Sequence, residues 1–173
     1  HYAAIDIGTN SGRLLIGTVS HENNLARINK VLFTRVPLSL GGDIYTTGII
    51  SEKKREQMLH TFLAFKHLIK AYNVSEYRAI ATSAMREATN GSDICNYILK
   101  DTGIELEVID GETEANLVFE TFKTCQIDHN IPYLFIDVGG GSTELSVVLL
   151  GKKINSTSFN VGSLRVIKNR VPE

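Results

Sequence analysis

Two glycine-rich runs, each placed just after an aspartate, are the parts of this 173-residue sequence best suited to chemistry. Gly8-Thr9-Asn10-Ser11-Gly12 follows Asp6, and Gly139-Gly140-Gly141-Ser142-Thr143 follows Asp137. A chain that wraps an anion must bring its backbone N–H groups close, and side chains would block that approach, so glycine stands where phosphate is held. The first run adds three side chains able to hydrogen-bond, Thr9, Asn10 and Ser11. One such run alone reads more readily as a hairpin turn. Two, each introduced by Asp, point to a pair of phosphate-binding loops. Asp6 and Asp137 are then either turn residues bonded to their own backbone or carboxylates facing Mg²⁺. That ion takes oxygen ligands and keeps waters beside a phosphate substrate. Glu144, across the second turn from Asp137, is placed to reach the same ion.

Two further residues suit such a site. Arg86 follows Ala81-Thr82-Ser83 at a strand end, where sites of open α/β sheets gather. Its guanidinium offers a planar fork to phosphate oxygens, against the plain reading of a solvated surface arginine. Glu114 opens a helix after Asp110-Gly111. The helix dipole alone favours Glu there, and on spacing Glu112 and Glu120 are equal candidates for catalysis.

These loops need strands ahead of them. Short β-branched runs bounded by turn formers predict strands over 2–7, 13–20 and 26–36, the last two joined by His21-Glu-Asn-Asn24. Gly41-Gly42-Asp43 and Thr46-Thr47-Gly48 read as a loop with too many turn residues for an element. Ser51 caps a predicted helix to about Tyr72, with Met58, Phe62, Phe65 and Ile69 on one stripe and Leu59, Leu63 and Leu68 widening it. A strand at 77–81, a helix at 92–100, a strand at 106–109 and a helix at 113–124 complete the first half. The resulting βββαβαβα order, an antiparallel trio followed by alternating strands and helices, is that of one ribonuclease H-like lobe. After the polar joint 126–130 the pattern restarts with strands at 133–138, 145–150 and 153–160. Ile5-Asp-Ile-Gly-Thr-Asn-Ser and Ile136-Asp-Val-Gly-Gly-Gly-Ser form a weak internal repeat. Residues 1–127 are expected to be a first lobe and 128–173 the start of a second, the two facing a shared cleft.

Composition narrows the class. Hydrophobic residues make up 43% and charged residues 21%, an ordinary globular balance. No run approaches the length of a membrane span. A net charge of −1 argues against a nonspecific nucleic-acid binder. Cys95 and Cys125 lack metal-type spacing and read as reduced thiols of a cytoplasmic protein.

Taken together, Ala4-Ile-Asp-Ile-Gly-Thr-Asn-Ser-Gly-Arg-Leu-Leu-Ile16, Ala81-Thr-Ser-Ala-Met-Arg-Glu-Ala-Thr-Asn90, Asp110-Gly-Glu-Thr-Glu-Ala115, Phe135-Ile-Asp-Val-Gly-Gly-Gly-Ser-Thr-Glu-Leu145 and Val161-Gly-Ser-Leu-Arg165 resemble the exopolyphosphatase and guanosine pentaphosphate phosphohydrolase family. The five stretches are collinear and leave only about 21–78 without a motif. The resemblance implies an actin-like, two-lobed enzyme that uses Mg²⁺ or another divalent cation and releases terminal phosphate from polyphosphate or guanosine pentaphosphate. It implies that Glu114 activates the attacking water and that Arg86 binds the phosphate near it. Asp137 and Glu144 match metal-associated carboxylates, and Gly8–Ser11 and Gly139–Ser142 match the phosphate-binding turns.

Three positions depart from the family pattern. Gly12 replaces a bulky apolar residue, which is expected to loosen the first hairpin. Thr113 replaces a frequent Glu and Asn116 a common Arg, next to the catalytic position. Full-length relatives continue past residue 173, and the whole protein is a candidate homodimer with no nucleic-acid or membrane partner. The competing readings are an actin-fold kinase or ATPase, and a polyphosphate or alarmone sensor without catalysis.

Overall fold

The computed structural model describes residues 1–22, 25–122, 128 and 130–168. Cys125, the last two residues of the helix expected to reach 124, and most of the joint at 126–130 lie outside the described residues. The chain forms two compact units, His1–Val108 and Ile109–Glu173. The division falls well before the expected 127/128 boundary.

In the first unit, strands β1 (Tyr2–Ile7), β2 (Ser11–Glu22) and β3 (Leu25–Pro37) form the expected antiparallel meander. Strand β4 (Glu76–Ala81) pairs parallel with β1, and the short β5 (Glu107–Val108) pairs parallel with β4. The strand order is β3-β2-β1-β4-β5. Alternation puts Ala3, Ile5 and Ile7 of β1 and Leu14 and Ile16 of β2 on one buried face.

Between these strands lie helices α1 (Gly41–Thr47), α2 (Glu52–Ala71), α3 (Ser83–Glu87) and α4 (Gly91–Thr102). Met58, Leu59, Phe62 and Phe65 of α2 are buried as the stripe requires, and burial of each Phe contributes roughly 1.5–3 kcal/mol. Ser51 stands at the N-cap of α2 but makes no side-chain cap bond. Instead its N–H donates to Asp43 Oδ2 at 2.8 Å.

Helix α1 corrects the expectation of a loop. Its turn-forming residues are held by burial of Ile44 and Tyr45, and Gly48, at φ 73°, closes it in the left-handed region. The first hairpin is not loosened at Gly12 either. The space a β-carbon would take is filled by Ile7 Cδ1, Leu38 Cδ1 and Thr61 Cγ2, at 3.1, 3.2 and 3.7 Å from that position.

The second unit contains α5 (Gly111–Phe122), β6 (Tyr133–Val138), β7 (Thr143–Leu149), β8 (Lys152–Phe159) and α6 (Ser163–Ile167). The three strands form an antiparallel sheet in the order β6-β7-β8. Helix α5 packs on β7 and β8, which is why it belongs to this unit. Cys95, on α4, is half-buried, and burial pushes its thiol pKa up, in keeping with an inert thiol.

Candidate active site

In the first unit, the Gly8 loop is tied to its surroundings through its own polar groups. Gly8 N–H donates to Ser11 O at 3.0 Å, closing the turn. The Thr9 carbonyl accepts from Gly41 N–H at 3.0 Å, and the Asn10 carbonyl from Leu38 and Ser39 N–H at 3.0 and 2.8 Å. A trans peptide is planar, with its C=O and the next N–H pointing opposite ways. Drawing the Thr9 carbonyl inward therefore turns the Asn10 N–H outward, and no hydrogen bond engages that group among the described residues.

The side chains behave differently from the sequence expectation. Thr9 and Ser11 are buried, with Thr9 Oγ1 2.7 Å from Ser83 Oγ and Ser11 Oγ accepting from Arg35 Nε at 3.1 Å. Only Asn10 is exposed, and its Oδ1 accepts from Ser39 Oγ at 3.4 Å. The Thr9–Ser83 contact also joins this loop to α3, which carries Arg86, and Thr82 N–H donates to Ile7 O at 3.1 Å. Arg86, half-buried, is thus held on a short helix anchored beside the loop. The Oδ2 of Asp6 accepts from Arg13 Nη1 at 2.9 Å, an ion pair between partly exposed side chains.

In the second unit the register brings candidates together directly. Asp137 stands opposite Glu144, and Glu144 opposite Ser158. Glu144 is 3% exposed, and its Oε1 accepts from Ser158 Oγ at 2.8 Å. A polar group taken out of water needs such a partner, since leaving it unpaired costs free energy. The Gly139 loop repeats the logic of the first. Gly139 N–H closes the turn on Ser142 O at 2.8 Å, while the Gly139, Gly140 and Gly141 carbonyls all accept bonds from Ser163, Leu164 and Arg165. The N–H groups of Gly140, Gly141 and Ser142 therefore point away from that turn, Gly140 half-buried and Gly141 and Ser142 buried, and no hydrogen bond engages them among the described residues. Three successive N–H groups left without a partner on one side of a turn suit a nest for an anion.

Glu114 lies in the first turn of α5. Asp110 caps that turn, its Oδ1 accepting from Thr113 N–H at 2.7 Å and its carbonyl from Glu114 N–H at 3.0 Å. Glu114 is half-buried, with Oε2 withdrawn from solvent. The helix start sits against β8: a β-carbon on Gly111 would lie 2.8 Å from Ser158 Cβ. Ser158 therefore touches both the beginning of α5 and Glu144. Asn116 Oδ1 accepts from Lys153 Nζ, and a hollow of about 310 Å³ beside this turn is lined by Gly111, Glu112, Lys153, Asn155 and Ser156 among others.

Sequence reasoning missed Ser158 and the supporting roles of Asp110, Gly162 and Arg165. The Asp110-Gly111 pair was a readable cap signal. The others depend on contacts between distant residues, which leave no local signature.

Among the described residues, no three His, Cys, Asp or Glu side chains are gathered closely enough to hold a metal by themselves. Asp137 and Glu144 still fit Mg²⁺, which commonly takes one or two carboxylates and completes its shell with phosphate oxygens and water.

A model of the Ppx/GppA phosphatase family matches residues 18–173. The bifunctional 3-dehydroquinate synthase/phosphatase of Fusobacterium nucleatum is 32% identical over 168 residues, 95% of this chain and 25% of that protein. Exopolyphosphatase 1 of Mycobacterium tuberculosis is 26% identical over 169 residues, 98% of this chain and 48% of that protein. The crystal structure of an exopolyphosphatase from Cytophaga hutchinsonii superposes with a TM-score of 0.87 at 30% identity, covering 97% of this chain and 53% of that one. The chain thus spans about half the length of both exopolyphosphatases.

Proposed function

The chain belongs to the Ppx/GppA phosphatase family, and from that footing we propose that its protein releases terminal phosphate from inorganic polyphosphate or guanosine pentaphosphate by metal-assisted attack of water. The observation that carries this reading is the Gly139–Ser142 nest, its three N–H groups turned away from the residues that hold its carbonyls, on the hairpin that pairs the carboxylates Asp137 and Glu144 in register. Backbone amides and carboxylates so close together suit a phosphate chain and its cation, and phosphoryl transfer depends mostly on positioning and electrostatics. The exopolyphosphatase relatives support the polyphosphate half of the proposal.

Each residue has a part in this scheme. The nest at Gly140, Gly141 and Ser142 holds bridging phosphate oxygens, and the Gly8–Ser11 loop offers a further phosphate contact through the Asn10 N–H. Arg86 clamps the terminal phosphate with its planar fork. Glu114 orients the attacking water and accepts its proton. Asp137 and Glu144 would hold Mg²⁺, Glu144 through the oxygen that Ser158 does not engage. The cation, when bound, offsets charge developing on the phosphoryl oxygens. Asp6 would join this set while paired with Arg13 through one oxygen.

The test is a substrate panel on full-length protein with Mg²⁺: polyphosphate, guanosine pentaphosphate and ATP. Phosphate release from either of the first two supports the proposal. Release from ATP alone would favour an actin-fold kinase or ATPase, and tight binding without turnover a sensor.

A further inference from the structure

The Gly139–Ser142 nest has a support to which no role has yet been given. Its three carbonyls are gathered by one turn, Gly162–Arg165. Ser163 N–H donates to Gly139 O at 3.0 Å and Leu164 N–H to Gly140 O at 2.9 Å. The third bond comes from a side chain: Arg165 Nε donates to Gly141 O at 2.6 Å. Arg165 is 7% exposed, an unusual setting for a guanidinium unless it is paired for a purpose. The turn can approach so closely because residue 162 is glycine. A β-carbon there would lie 2.5 Å from the Gly140 carbonyl and from the Gly141 nitrogen.

We propose that Arg165 is a positioning residue for phosphate binding: by holding the Gly141 carbonyl inward it aims the Ser142 N–H at a bound phosphate oxygen. The peptide joining Gly141 to Ser142 is planar, so the direction of one end fixes that of the other. A charged donor does this more firmly than a neutral one. The buried cation also polarises the peptide it holds, making the Ser142 N–H a better partner for an anion. The proposal rests on the reading of Gly139–Ser142 as a phosphate loop.

The test uses full-length protein labelled with ¹⁵N-glycine and ¹⁵N-serine, titrated with inorganic triphosphate in metal-free buffer, where the probe is not turned over. In the unsubstituted protein the amide signals of Gly140, Gly141 and Ser142 should shift on titration. Arg165→Ala should weaken triphosphate binding by ~10-fold or more, in line with losing a charge-assisted hydrogen bond, and Arg165→Lys by under ~3-fold. The Ser142 amide signal should be displaced in Arg165→Ala even before ligand is added. If Arg165→Ala does not fold, Arg165→Gln takes its place, with binding intermediate between Arg165→Lys and none. Lower melting temperatures with triphosphate affinity unchanged would overturn the proposal and make Arg165 a packing residue only. No shift at Gly140, Gly141 or Ser142 in the unsubstituted protein would overturn the phosphate-loop reading itself, and the proposal with it.

Discussion

Glu114 and Arg86 are asked to do different things, and substitution separates them. Glu114→Gln keeps the shape and the packing of the first turn of α5 but removes the proton acceptor. Phosphate release should fall by roughly 100-fold or more, the range expected for losing general-base catalysis. Substrate binding, followed by calorimetry, should persist or tighten, because one negative charge near the phosphates is gone. Glu112→Gln and Glu120→Gln should keep most activity, and an equal collapse in either would remove the special status of Glu114. Arg86→Lys keeps the charge but cannot make two parallel bonds. A loss of about 10-fold in kcat/KM, or ~1.4 kcal/mol of transition-state binding, is expected. Unchanged kinetics would return Arg86 to an ordinary surface role. Thr113 and Asn116, which depart from the family pattern, are engaged through Asp110 and Lys153, so both stay compatible with the fold of this turn.

At the scale of elements, the second nest depends on two segments meeting. Gly162→Ala should displace the turn that gathers the three carbonyls, lowering triphosphate affinity by ~10-fold or more, since the contact it would break is with rigid backbone. Ordinary affinity in that variant, measured by the same titration, would mean the nest stands without its support. The strands were legible because alternation marks them, and the 137–144 pairing follows from counting across a short hairpin. Helix α1 was not legible: Gly41-Gly42 and Thr46-Thr47-Gly48 have poor helix propensity, which the burial of Ile44 and Tyr45 and the Gly41–Thr9 backbone bond help to override. The glycine loops were recognisable as phosphate candidates, but not which of their groups the fold itself engages. Thr9 and Ser11 looked like ligands because hydroxyls can bind anions, whereas both are spent inside the fold and the backbone is what remains. Which carbonyls are drawn inward is decided by residues some 24 to 32 positions away.

At the scale of the whole molecule, the internal repeat makes a sharper statement than either unit alone. Aligning Asp6 with Asp137 matches Ala3, Ile5 and Ile7 with Leu134, Ile136 and Val138, and Leu14 and Ile16 with Leu145 and Val147. The first set is buried, whereas Leu134, Ile136 and Val138 are 57, 58 and 63% exposed. An apolar sheet face of this kind, on the strand that lies at one end of the order β6-β7-β8 among the described residues, is a surface for association. The 173-residue chain alone should therefore self-associate, and Ile136→Lys should reduce that in light scattering; equal scattering by both would place the contact elsewhere. The central claim concerns the reaction. Its most direct measurement is ³¹P NMR of a polyphosphate of defined length incubated with full-length protein and Mg²⁺. The account predicts that orthophosphate appears from the first time point while the remaining chains shorten from their ends. Mid-length fragments without early orthophosphate, or no change in the polymer beside rapid loss of the ATP γ-phosphate, would contradict it.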